Sequence, residues 1–135
     1  MVLALLVSGS LALNVVDVGR ASVAKNLPFE NKDAYFTAPP NFYGIFDGVS
    51  ACPESRIYSQ TLAKTSCDTL MAVQAREPTL AWDAQAFRAL TAAAEAAKKY
   101  SGSSTAMLLK LDLDHCQTSL SVIVRKRIRV RPANS

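Results

Sequence analysis

The stretch FYGIFDGVS, Phe42 to Ser50, ends a run of aromatic and aliphatic residues on a carboxylate and a glycine. Asp-Gly is a strong signal for a tight turn between strands. A carboxylate at the end of a buried strand is also the kind of oxygen donor that hard divalent cations use. Both readings of Asp47 stand at this point, and what surrounds the stretch decides between them.

Immediately upstream, DAYFTA (33–38) reads as a strand and Pro39-Pro40-Asn41 as a turn, with FYGIFD (42–47) as the antiparallel partner. The two prolines stop strand and helix alike, so the pair is expected to close as a hairpin. Downstream, Gly48–Glu54 is a loop of small residues and proline. A helix is then expected from about Ser55 to Arg76, with Ser59, Leu62, Ala63, Ser66, Cys67 and Leu70 on one small and apolar face. Glu77-Pro78-Thr79 ends it, because proline disfavours a helical residue before it.

A second helix is expected from about Trp82 to Tyr100, with Phe87, Leu90, Ala94 and Ala97 on one face and Gly102 suited to its C-cap. STAMLLKLD (104–112) and QTSLSVIV (117–124) read as a last pair of strands around a turn at Leu113–His115. Asp112 and Asp114 read as its solvated tip. The order is strands, two helices, strands, which makes an α+β fold.

The chain's 135 residues fit one domain, and half of them are hydrophobic against 19% charged, a globular composition. The net charge of +4 is local in origin. Arg125, Lys126, Arg127, Arg129 and Arg131 carry five of the fifteen positive charges, and residues 1–124 hold ten Lys/Arg against eleven Asp/Glu. Residues 125–135 therefore form a basic tail on a nearly neutral domain, and its Arg/Ile/Val alternation reads either as a charge-protected edge strand or as an out-of-frame tail. It has no aromatic residues on which bases could stack, so nucleic acid is not an expected partner.

Cys52, Cys67 and Cys116 show neither paired spacing nor an even count, which fits a reducing, intracellular compartment. The first 16 residues carry no charge. They are too short and interrupted for a membrane span and lack the basic start of a signal peptide. Ser8-Gly9-Ser10 reads as a turn between two strands, and LALNVVDV (11–18) is rich in strand formers.

Three blocks in order, KDAYF (32–36), YGIFDGVS (43–50) and GSSTAMLLKLD (102–112), resemble the metal-dependent protein phosphatases of type 2C. The likeness is to the short branch with sporulation-like bacterial and mitochondrial members, and it spans about residues 15–122. It implies that residues 1–124 are the N-terminal part of a four-layer α-β-β-α sandwich, two antiparallel sheets with helices outside each. It also implies two Mg²⁺ or Mn²⁺ ions between the sheets and a phosphoserine or phosphothreonine protein as substrate. The resemblance makes Asp47 the carboxylate that bridges the metals, Gly48 the donor of a main-chain carbonyl, and Asp33 the acid that holds metal-bound water. Water activated by the metals would attack phosphorus directly, so no Cys or His nucleophile is required.

The chain departs from that pattern at several places. Lys32 stands where the family carries glutamate, and Glu30 alternates to the other face of a regular strand. The arginine that grips phosphate in many members falls near Pro28, with Lys25 and Lys32 as the nearest cations. The later Gly-Asp-Ser, Asp-Gly and Asp-Asn blocks have no counterpart. The chain is therefore expected to be an incomplete catalytic domain, with a non-catalytic fragment that binds a phosphoprotein or partner as the alternative function.

Overall fold

The computed structural model describes residues 31–49, 51–112 and 117–124. Its elements are β1 (Ala34–Ala38), β2 (Phe42–Phe46), α1 (Ser55–Arg76), α2 (Trp82–Ala97), β3 (Thr105–Asp112) and β4 (Gln117–Val124). The four strands form one antiparallel sheet in the order β1-β2-β3-β4. The α+β order expected from the sequence is the one observed. The turn at 113–115, the N-terminal strands, and the edge strand at 125–131 lie outside the described residues. Among the described residues no helix is long and apolar enough to cross a membrane.

The β1–β2 hairpin closes around Pro39-Pro40-Asn41, whose proline–proline bond is cis. Its register pairs Ala34 with Phe46 and Ala38 with Phe42. Both strands stop one residue short of the expected limits, leaving Asp33 and Asp47 just beyond the open end. Phe36 faces Gly44 across the hairpin, where a Cβ on Gly44 would meet the Phe36 ring at 2.2 Å. The aromatic ring fills the space that glycine leaves.

One face of the sheet carries the core. Phe36, Phe42, Phe46, Ala106 and Leu108 are buried there with Tyr58, Leu62 and Leu70 of α1 and Leu90 of α2. Burial of this apolar surface stabilises the fold by about 25 cal/mol per Å². Phe42 is fully buried and stacks on Trp82, with ring centroids 5.9 Å apart.

Helix α1 buries the expected face, with Ser59, Leu62, Ala63, Ser66 and Leu70 inside and Cys67 half-buried. Partial burial, with Asp68 beside it, raises the Cys67 thiol above its ordinary value.

Helix α2 differs from its expected phase. Its buried face is Gln85, Ala86, Ala89, Leu90, Ala93 and Ala97, while Phe87 is 66% exposed and Ala94 is exposed. The alanines decide the phase, because methyl side chains let α2 lie close against α1, whereas a phenyl ring in that seam would hold the helices apart. The helix also ends at Ala97, three residues early. Lys98 and Tyr100 donate to the Glu95 and Ala97 carbonyls, tightening the end into three-residue turns.

Gly102 is not the cap of this helix. It packs under the start of α1, where a Cβ would meet the Tyr58 Cβ at 2.5 Å and the Glu54 carbonyl at 3.0 Å.

Burial raises the Tyr58 phenol above its ordinary value of 10.0. The folded state thus holds this proton more tightly than the unfolded state. Its contribution to stability is complete below about pH 10 and is lost as pH rises through the raised folded value. Urea titrations between pH 7 and pH 11 should therefore show a falling alkaline limb that is shallower in Tyr58→Phe.

The opposite face of the sheet carries no charged residue at its described strand positions. Tyr35, Ile45 and Met107 form one cross-strand row and are 42%, 58% and 41% exposed. Antiparallel sheets that face water usually alternate apolar with polar residues. This sheet is apolar at alternate positions on both sides.

Candidate metal centre

Asp33 and Asp47 flank the hairpin's open end, where the register sets them next to the Ala34–Phe46 pair. Both are exposed. The Asp33 main-chain N–H donates to Asn31 Oδ1 at 3.0 Å, and Asp33 Oδ1 accepts the Gly48 N–H at 3.1 Å. The acid before β1 is thereby tied across the hairpin to the Asp-Gly pair after β2.

The third sequence block meets them. Thr105 N–H donates to the Asp47 carbonyl at 2.9 Å, and Val49 N–H donates to the Ser103 carbonyl at 2.9 Å, bracketing an antiparallel bridge between Gly48 and Ser104. In such a pair the bonds come from the flanking residues, so the N–H and C=O of Gly48 both point away from Ser104. The N–H goes to Asp33, and the carbonyl is left on that same side. Blocks 32–36, 43–50 and 102–112, distant in sequence, thus converge at one end of the sheet.

Gly48 is needed for close approach. A Cβ there would stand 2.2 Å from the Lys32 carbonyl oxygen, and its backbone is not in the left-handed region that favours glycine. The Lys32 carbonyl also accepts a hydrogen bond from Ser59 Oγ on α1. Its ammonium donates to the Cys52 carbonyl at 3.0 Å, towards the loop before α1. Lys25, Pro28 and Glu30 lie outside the described residues.

The donors gathered here are two carboxylates and a main-chain carbonyl, all hard oxygen ligands suited to Mg²⁺ or Mn²⁺. Among the described residues no group of three or more His, Cys, Asp or Glu side chains comes together to hold a metal ion. A divalent ion at this end would therefore need further oxygen ligands beyond these, from water or from other residues.

Sequence reasoning did not single out Ser59 and Ser103, which fix the site from α1 and from the entry to β3. Ser103 lies within the quoted GSST block, and its small neighbours were the available signal. Ser59 appeared only as part of a packing face. Asp33→Ala is expected to cost about 1 kcal/mol, because it leaves the Gly48 N–H without its charged acceptor while water can still reach part of the site. Chemical denaturation checks that value.

No protein-family model matches the chain, and no curated protein matches it.

Proposed function

We propose that this chain is part of a metal-dependent phosphatase domain of the type 2C kind, which hydrolyses phosphoserine or phosphothreonine in a protein substrate. The observation that carries the reading is the convergence of Asp33, Asp47-Gly48 and Ser103–Thr105 at one sheet end. Asp47 and the Gly48 carbonyl would hold the metal, with Asp33 oriented beside them by its bond to the Gly48 N–H. When bound, Mg²⁺ or Mn²⁺ supplies activation of water and neutralises charge on the phosphoryl oxygens. The protein's share is positioning. Three backbone-anchored segments hold the oxygen donors, so little reorganisation is needed on binding.

The four-layer sandwich belongs to the same proposal. Its support is the apolar second face of the sheet, which suits an inner layer rather than an outer one.

The test is hydrolysis of a phosphothreonine peptide by the purified chain with Mn²⁺ or Mg²⁺, alongside calorimetric titration with Mn²⁺. Metal-dependent turnover is expected, with loss to background in Asp47→Ala. In Asp33→Asn, Mn²⁺ affinity should weaken by about 10- to 100-fold. Absence of both turnover and Mn²⁺ uptake in a folded sample would refute catalysis by this chain.

A second reading, a non-catalytic fragment that binds a phosphoprotein or partner, is favoured by one feature. Lys32 places a cation next in sequence to Asp33, where it opposes metal binding. Phosphopeptide binding without Mn²⁺ uptake would select this reading.

A further inference from the structure

Two segments far apart in sequence form a seam that leads to the candidate site. Glu54 N–H donates to the Ser101 carbonyl at 3.3 Å, and Glu54 Oε2 accepts the Ser101 N–H at 2.5 Å. Next along, Ser55 Oγ donates to the Ser103 carbonyl at 3.2 Å and accepts the Ser103 N–H at 3.3 Å. Beyond them come the Val49–Ser103 bond, the Gly48–Ser104 bridge and the Thr105–Asp47 bond. Glu54 and Ser101, both exposed, close one end of the seam, and Asp47 and Gly48 stand at the other.

We propose that Ser101 is phosphorylated by a protein kinase whose substrate groove is acidic, and that the phosphate loosens the seam. The residues before Ser101 supply the charge that such a groove selects, because kinases discriminate substrates by charge pattern. Lys98 and Lys99 stand three and two positions before it, both exposed. The Lys98 ammonium pairs with Glu95 in an exposed ion pair of the kind that gives way readily. Position favours Ser101 as well. A groove takes its substrate as an extended segment, and Ser101 lies in a bend past the end of α2. Thr91, three residues after Arg88, lies inside that helix, and Thr79, three after Arg76, has the acid Glu77 between them. In the reaction the Ser101 Oγ bonds to the γ-phosphorus of ATP as the bond to the β-phosphate oxygen breaks. ADP leaves, and the hydroxyl proton passes to the kinase's catalytic aspartate. The ester brings about 1.5 to 2 negative charges next to the Glu54 carboxylate that holds the Ser101 N–H. Like-charge repulsion then opposes that bond and frees the outer end of the seam.

Any consequence for metal binding rests on the function proposed above, whereas modification and seam opening are read without metal and stand or fall apart from it. The full chain is incubated with ATP and the catalytic subunit of the cyclic-AMP-dependent kinase, a probe with an acidic groove, and the phosphate is mapped by mass spectrometry. Phosphate on Ser101 is expected, absent in Ser101→Ala and added about tenfold or more slowly in Lys98→Ala/Lys99→Ala. Circular dichroism checks that α1 and α2 persist in each variant. After kinase and nucleotide are removed, hydrogen exchange at the Ser103 and Thr105 N–H groups should be about tenfold faster than in the unmodified chain. The difference should shrink in about 0.5 M salt, as repulsion between exposed charges does. Ser101→Glu should move exchange in the same direction. Phosphate confined to other residues, no phosphate on a folded chain, or a rate indifferent to the two lysines would overturn the site. Unchanged exchange in the Ser101-phosphorylated chain would overturn the loosening.

Discussion

Gly48→Ala is expected to lower the free energy of unfolding by about 3 kcal/mol, at the upper end of what overpacking usually costs. The added methyl would stand 2.2 Å from the Lys32 carbonyl oxygen and 2.9 Å from its carbon. Both are main-chain atoms that cannot rotate away as the end of a side chain would. The Lys32 carbonyl is held from its other side by Ser59, so moving it also pulls on α1. Any relief must separate Gly48 from Lys32 and strain the Asp33–Gly48 hydrogen bond. Stability and site geometry should therefore fail together. Urea denaturation measures the first, and Mn²⁺ titration of the surviving folded fraction measures the second. A loss below about 1 kcal/mol would show that the 31–33 segment yields easily, contrary to the packing described.

Phe42→Ala is expected to cost about 3–5 kcal/mol, the range for removing a buried aromatic ring. Phe42 has no exposed surface, stacks on Trp82, and lies under the Lys110 ammonium, which is 5.8 Å from the ring centroid. It also pairs with Ala38 on one side and Lys110 on the other, so the cavity would open where β1, β2, β3 and the start of α2 meet. Trp82 is the only tryptophan, and its fluorescence should shift to the red in the native baseline as water gains access. An unchanged emission maximum with a small stability loss would mean that the neighbouring chains collapse into the space.

Much of this architecture was legible from local chemistry. The Pro-Pro-Asn interruption, the small-residue face of α1 and the Glu-Pro stop each act within a few residues, and each element lies where those signals put it. The phase of α2 was not legible in the same way. Hydrophobicity favours burying Phe87, and only the tight approach to α1 reveals that four alanines outweigh one ring. Gly102 misled for a related reason. A glycine after a helix has the same appearance whether it caps that helix or makes room for Tyr58 of another.

At the candidate site, Asp47 stood out as a carboxylate ending a buried strand, whereas Asp33 and Gly48 were singled out only by the resemblance to the type 2C phosphatases. Their link through the Asp33–Gly48 hydrogen bond is a matter of register, which pairs position 34 with 46 and so sets 33 beside 47 and 48. Gly48 was expected to serve by turning the chain. It serves instead by occupying almost no volume next to Lys32.

Lys32 divides its duties between backbone and side chain. Its carbonyl is the atom that receives Ser59 and against which Gly48 packs, while its ammonium donates to the Cys52 carbonyl. Architecture at this position thus runs through an atom that every amino acid possesses. A substitution at this position removes the ammonium's bond to the Cys52 carbonyl, yet it keeps the main-chain oxygen through which the hairpin meets Ser59 of its helix.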